Sequence, residues 1–284
     1  RYLLSLAITT SSLPILHSLK WGQISLILVV GIIYCLTNKA KKEESISGIL
    51  FGVLIALKLY PAYFLSVALW QRRWKFSGVT LCSAVVFAVF VPIATIGYSQ
   101  MNLYYLRILE VSRRVKNMEA PSGGQSISAS VYRWFQDGYH VGTDNIQVGA
   151  LFIDLGFTAT MIPFLISVGI LGVLYSLLRR GLDENQELAA VLLSLSLLIS
   201  PGWHHYFSFL PWVFVVIWNA VNSKGRVVLS FLFLLERIPV LCLGQGKEVY
   251  ILYSSYGGTT LIALALLVII THPYFQSKAE EGIL

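Results

Sequence analysis

Apolar residues gather along this chain into segments near 2 to 16, 23 to 38, 46 to 57, 59 to 70, 76 to 98, 148 to 178, 187 to 200, 206 to 222, 227 to 243 and 251 to 271. Several approach the roughly 20 residues that a bilayer span requires. The pattern predicts an all-α fold, a polytopic transmembrane helical bundle of about ten membrane segments. It gives no sign of internal repeats or of separate soluble domains, so residues 1–284 read as a single domain.

The polar breaks are short and basic: Lys39, Lys41 and Lys42; Arg72, Arg73 and Lys75; Arg179 and Arg180; Lys224 and Arg226; and Lys278. Lys and Arg between spans favour the cytoplasmic side. Placing all five clusters there requires an even number of crossings between neighbours, and the segment list satisfies this each time. Leu19 to Gly22, residues 99–147, Ser200 to Phe207 and Gly244 to Tyr250 then face the extracytoplasmic side, with residues 272–284 as a cytoplasmic tail.

The condition holds between Lys42 and Arg72 only if Ile46 to Trp70 forms a hairpin. Its 25 residues are long enough for one span, but Lys58 and Pro61 sit in the middle. A lysine at mid-span costs roughly 2.5 to 3.5 kcal/mol on insertion scales. A short re-entrant pair with Lys58 at its tip avoids that cost.

The long interruption at 99–147 is too rich in aromatics for a disordered linker. Its first part, MNLYYLRILEVSRRVKNME, reads as an amphipathic helix able to lie on a membrane surface: Leu103, Leu106, Ile108, Leu109 and Val115 are apolar, and Arg107, Arg113, Arg114 and Lys116 are basic.

Composition agrees with the pattern. Hydrophobic residues make up 56% and charged residues only 12% of the chain, against roughly a quarter charged in soluble domains. The net charge of +7 lies in the inter-span clusters and so reports topology, not nucleic-acid binding. Cys35, Cys82 and Cys242 lie in apolar runs with neither pairing nor metal-ligand spacing. Arg1 opens directly into YLLSLAITT, which reads as the start of an N-terminally truncated fragment.

Four polar groups fall on the extracytoplasmic side: Trp21 with Gly22 and Gln23, Lys58, Gln125 to Arg133, and His204 with His205. The last lie in SPGWHHYF, Ser200 to Phe207, which sets two histidines, a tryptophan and a helix-breaking Pro-Gly pair at a membrane boundary. Polar groups there are costly unless they face protein, water or ligand. Lys58 and Arg133 have the charge to hold a phosphate, and a histidine suits proton transfer near neutral pH. Adjacent histidines do not share a helix face, so one is expected to face the site while the other packs. Phosphate-loop, nucleophile-elbow, zinc-pair and dinucleotide signatures are all absent, and no metal site is expected.

In order along the chain, WGQISL at Trp21 to Leu26, GILFGVLIALKLYP at Gly48 to Pro61 followed by QRRW, GGQSISASVYR at Gly123 to Arg133 and SPGWHHYFSFLP at Ser200 to Pro211 resemble glycosyltransferase family 87. These are GT-C class membrane enzymes, similar to polyprenol-phosphate-mannose-dependent mannosyltransferases and arabinofuranosyltransferases.

The resemblance implies an inverting, multi-pass plasma (inner) membrane enzyme with an extracytoplasmic active site. Such an enzyme moves a hexose such as mannose, or a pentose, from a polyprenyl-phosphate donor to a lipid or envelope-glycan acceptor. It implies no cofactor beyond the donor substrate, and no nucleic-acid partner. By resemblance His205, and beside it His204, take the catalytic role toward the acceptor or leaving phosphate. Lys58 and Arg133 hold the phosphate, with Gln23, Gln125, Ser126, Trp203 and Tyr60 as neighbours. Gly124 stands where the commoner motif has Asn.

The family's catalytic carboxylate belongs to a first external loop. Asp137, Asp144 and Asp154 do not fit that position, so the base is expected before Arg1. Three other readings compete: an O-antigen ligase or polymerase, a lipid-linked glycan transporter or flippase, and an inactive structural subunit. Inverted repeats would favour the transporter.

Overall fold

The computed structural model describes residues 11–20, 22–38, 40, 43–117, 124–135, 139–141, 146–148, 155, 161–179, 182–199, 202–242 and 247–276. Their regular elements are helices and one small antiparallel ribbon, Tyr139–Val141 with Ile146–Val148, in which Tyr139 faces Val148. Apolar helices dominate, as in a membrane protein. Among the described residues, Trp74–Ile96 and Met161–Arg179 are long and apolar enough to cross a bilayer, and Val249–Ser255 with Gly258–Thr271 makes a third if taken as one bent span. The chain divides into two compact units, Ile27–Glu119 and the remainder, Arg1–Leu26 with Ala120–Leu284.

In the Ile27–Glu119 unit, after α1 (Leu13–Lys20) of the other unit, come α2 (Ser25–Thr37), α3 (Glu44–Leu57), a 3-10 turn at Tyr60–Phe64, α4 (Leu65–Trp70), α5 (Trp74–Ile96) and α6 (Tyr98–Asn117). Helices α3 and α5 run parallel. A Cβ on Gly48 would lie 3.0 Å from Phe76 O, and one on Gly52 would lie 2.5 Å from Ser83 Cβ, so the contact advances in the same direction along both. Small residues allow this close backbone approach, and Ser83 Oγ donates to Ile49 O at 2.8 Å.

Parallel packing requires residues 58–73 to return along the whole of α3. The turn comes at Lys58, whose extended backbone ends α3, and Pro61 opens the 3-10 turn that follows. At the far end, Arg73 donates to Asn38 O at 2.9 Å and Leu36 O at 3.2 Å and lies 3.9 Å from Glu44 Oε1. The Arg72 to Lys75 hinge therefore sits at the same end of the unit as residues 36–38, which lead into the cluster of Lys39, Lys41 and Lys42. That cluster itself lies outside the described residues.

Gly97, with φ of 81°, separates α5 from α6, and α6 occupies the stretch predicted as an amphipathic helix. The predicted loop at 99–147 is thus largely helical. It also contains α7 (Ile127–Phe135) and the ribbon.

The other unit holds α1, α7, α8 (Met161–Arg179), α9 (Glu184–Leu198), a 3-10 turn at His204–Phe207, α10 (Leu210–Ala220), α11 (Ser223–Leu241), α12 (Lys247–Ser255) and α13 (Gly258–Thr271). Asp183 caps α9 by accepting from Asn185 N and Gln186 N, and Asn222 caps α11 by accepting from Gly225 N. Helix α9 is buried on most sides, including Ala189, Ala190, Leu193 and Leu197, and packs on α13, whose Ile262, Ala263 and Leu266 are buried as well.

One predicted element needs correction. Residues 251–271 do not form a single helix, because α12 and α13 meet at a bend of 53°. The cause is the run Ser254 to Thr260, SSYGGTT, in which Gly257 takes the left-handed conformation at φ of 69° and Gly257 N bonds Ser254 O.

Candidate functional site

A helix broken in an apolar setting leaves carbonyls that need donors. Three successive carbonyls at the α12 end receive them from α7 and its lead-in. Gln125 Nε2 donates to Ser254 O at 3.0 Å, Arg133 Nε to Ser255 O at 2.9 Å and Trp134 Nε1 to Tyr256 O at 3.1 Å. On the α13 side Thr260 Oγ1 donates to Gln125 O at 2.8 Å and lies 2.8 Å from Ser130 Oγ. Gln125, Ser130 and Arg133 are fully buried. Gly257 is required here for room as well as conformation, since a Cβ would stand 2.7 Å from Ser130 Oγ.

The sequence places α7 here by capping. Ser126 Oγ accepts from Ala129 N at 3.2 Å, the third residue of the helix. Just before it the chain is stitched to the histidine segment. Gln125 N donates to Gly202 O at 2.7 Å, and Gly124 bridges Trp203. Gly202 adopts φ of 58°, and a Cβ there would meet Ser126 N at 2.7 Å. GGQS and GWHH are therefore joined through backbone, with Trp203 at the seam. Ser200 and Pro201 lie outside the described residues.

The two histidines separate in role. His204 is wholly buried, with Nδ1 3.0 Å from Thr259 Oγ1 and Nε2 3.0 Å from Ser254 Oγ, so it bridges the two sides of the helix break. Burial, and then the neighbouring His17, Arg133 and His205, hold its pKa well below the usual histidine range. Its ring is neutral at pH 7, with one nitrogen donating and the other accepting. His205 is 6% exposed, lies edge-on to Tyr206 at 4.8 Å and stacks on His17 at 5.7 Å with 14° between planes.

His17, on α1, also meets His204 at 5.5 Å, and burial with help from Lys20 pushes its pKa down to about 4. Helix α1 ends on Gly22, φ of 58°, where Gln23 N donates to Ser18 O at 2.8 Å and Gly22 N to Leu19 O at 3.1 Å. This is the glycine-closed helix end that WGQ encodes, and it puts Gln23 just beyond the helix that carries His17. Trp21 lies outside the described residues.

Residues 1–201 match the sequence model of glycosyltransferase family 87. The chain belongs to this family. It is also 28% identical over 230 residues, 77% of this chain and 48% of the relative, to a polyprenol-phosphate-mannose-dependent alpha-(1-2)-phosphatidylinositol pentamannoside mannosyltransferase of Mycolicibacterium smegmatis. The chain thus spans about half the length of the curated relative it matches. No solved structure matches.

In this family 87 chain the structure brings together Gln23, Gln125, Ser126, Arg133, Trp203, His204 and His205 within one unit. Lys58 and Tyr60 belong to the other. There the Lys58 ammonium stands 5.8 Å from the centre of the buried Tyr60 ring, which meets Phe64 edge-on. Partial burial lowers the Lys58 pKa to about 8. Asp137, Asp144 and Asp154 lie outside the described residues. Among the described residues no cluster of His, Cys, Asp and Glu could hold a metal ion.

Sequence reasoning missed His17, the hydroxyls of Ser254 and Thr259, and the buried pair Glu236 and Arg237. The signals were present: a lone histidine closing an apolar run, a Ser-Gly-Thr run inside a predicted span, and adjacent opposite charges inside another.

Proposed function

We propose that this protein is an integral membrane glycosyltransferase that moves a sugar, a hexose such as mannose or a pentose, from a polyprenyl-phosphate donor to a lipid or envelope-glycan acceptor on the extracytoplasmic side of the plasma membrane. The observation that carries this reading is the family 87 match over residues 1–201. The mannosyltransferase relative supports the polyprenyl-phosphate donor. The reaction needs no cofactor in this reading. The bond from the sugar's anomeric carbon to the phosphate oxygen breaks as the bond to an acceptor hydroxyl oxygen forms, with inversion. The phosphate leaves with the electron pair, and the hydroxyl proton passes to a carboxylate base that is assigned to none of the described residues.

Within this scheme His205 is the better candidate to face the acceptor or the leaving phosphate, because both nitrogens of His204 are engaged by hydroxyls. Lys58, charged at pH 7, stabilises the negative charge that develops on the phosphate. Gln125, Ser126 and Arg133 act one step back, by holding the helix break and the histidine segment in place.

Membranes containing the protein are to be supplied with radiolabelled polyprenyl-phosphate mannose or arabinofuranose and a phosphoinositide-glycan acceptor. Label should pass to the acceptor in wild type and be lost in Lys58→Ala at equal protein level. Transfer from a nucleotide sugar in membranes free of polyprenyl phosphate contradicts the reading, as does full transfer by Lys58→Ala.

A further inference from the structure

The one strongly charged cluster in the apolar interior of the His17 unit, among the described residues, lies on α11. Glu236 is wholly buried, and its Oε2 meets Arg237 at 2.6 Å. Its Oε1 accepts from Ser12 Oγ at 2.8 Å and from Leu13 N at 2.9 Å, the first backbone N–H of α1. Arg237 adds a bond from Nε to Ser11 Oγ at 3.1 Å. A carboxylate on the first N–H of a helix is favoured by the helix dipole, and a charge inside an apolar helix is retained only with its partners in place. The pair thus grips the start of α1 from a different helix, 223 positions away in sequence.

His17 lies one turn further along α1, about 6 Å at 1.5 Å per residue. Its ring is the one that stacks on His205. The first turn of α1 also reaches the histidine segment directly, where Ser208 Oγ, which donates to His205 O at 2.8 Å, lies 3.4 Å from Pro14 O. A shift of α1 along its axis would slide the His17 ring across His205.

We propose that Glu236 is a positioning residue: through the first turn of α1 it sets the register of His17 on His205, and so the direction in which His205 faces substrate. This rests on the functional reading above, in which His205 faces the acceptor or the leaving phosphate. An ion pair that merely stabilised the helix bundle would be replaceable by apolar residues of similar volume, since such replacements are often neutral for stability. A positioning pair would not be replaceable without loss of turnover.

The test compares wild type with Glu236→Leu/Arg237→Met and with Glu236→Gln, which keeps an oxygen for Ser12 and Leu13. Two readouts are taken in membranes: sugar-transfer kinetics, and the rate at which diethyl pyrocarbonate modifies His205, followed by mass spectrometry. The double variant should lose at least about tenfold in kcat at unchanged donor KM and label His205 at least about fivefold faster, while melting about 5 °C lower as Ser12 Oγ and Leu13 N lose their acceptor. Glu236→Gln should lower the melting temperature, because Arg237 loses its counter-charge, yet stay within about twofold of wild type in both readouts.

Wild-type turnover and wild-type labelling in the double variant would overturn the proposal. If the double variant does not accumulate, Ser12→Val replaces it. It should shift both readouts in the same direction, and unchanged values again overturn the proposal. If wild type transfers no sugar from any polyprenyl phosphate, the functional reading fails, and the labelling rates decide on Glu236 alone.

Discussion

The helix pair α3 and α5 and the broken helix α12–α13 are both apolar segments interrupted by small and hydroxyl residues, yet they use those residues in different ways. In the pair, Gly48 and Gly52 let two continuous helices touch along their backbones. The contact lies between the two helices themselves, and Ser83 adds a bond to Ile49 O. In the broken helix, Ser254 to Thr260 ends one helix and starts another, so that Gln125, Arg133, Trp134 and His204 must come from elsewhere to serve the ends. Close packing needs nothing beyond the two helices. A break gathers polar groups from two other sequence motifs into one place, which is what a reaction site requires.

If that contrast is right, substitutions in the pair change stability alone. The largest effect is expected for Gly52→Leu, because a Cβ there already meets Thr80 O at 2.6 Å and Ala84 N at 2.7 Å, both backbone atoms that cannot swing aside. Overpacking of this kind costs about 3 kcal/mol or more. Thermal melting in detergent should show a fall of many degrees, and a melting point within about 2 °C of wild type would break the packing account.

Arg133→Met comes next. It withdraws a charged donor from Ser255 O in a buried setting, for a loss of about 2 to 3 kcal/mol, and activity should fall with it. Full activity at wild-type stability would show that the break does not depend on its cap. Gly202→Ala should cost about 1 to 2 kcal/mol from its left-handed backbone alone, with more from the approach to Ser126 N. Its signature would be a lower melting point together with faster proteolysis in the 124–135 region; no change in either would uncouple the two motifs.

The smallest effect is a pH dependence at Lys58. Its folded pKa of about 8 lies below the usual lysine range because burial disfavours the charged form. Between that value and the unfolded pKa the unfolded chain binds more protons, so this residue's contribution to stability rises with pH across the window. Its contribution to transfer runs the other way, because the charged amine is lost as pH rises through about 8. A transfer rate that falls above pH 8, with the fall moved upward in Lys58→Arg, is the expected profile. A flat profile from pH 7 to 9.5 would remove Lys58 from the phosphate.

Periodicity made α5, α6 and α8 legible, because long apolar or amphipathic runs leave few alternatives. The turn at Lys58 was legible for a different reason: a lysine and a proline in mid-run conflict with a continuous apolar helix. What failed was the stretch 251–271. Hydropathy averages Ser254 to Thr260 into its apolar flanks, and the carbonyls that the break at Gly257 frees are served by Gln125 and Arg133, more than a hundred positions earlier. The motifs around Gln125 and His204 announced themselves as polar groups at membrane boundaries. Which atoms they serve depends on tertiary contacts that no local pattern carries. His17 and Glu236 escaped notice for the same reason, each a single polar residue whose partner lies on another helix.

The central claim is that adjacent histidines do different work, His204 holding the helix break and His205 facing the chemistry. His204→Phe and His205→Ala, measured side by side for sugar transfer from polyprenyl phosphate and for melting temperature, test it most directly. His205→Ala should lose about a hundredfold or more in turnover, the scale of a lost proton-transfer or charge-stabilising group, while melting within about 2 °C of wild type. His204→Phe should instead lower the melting temperature by about 5 °C or more, as two buried hydroxyls lose their partner. A folded, fully active His205→Ala beside a stable but inactive His204→Phe would contradict the account.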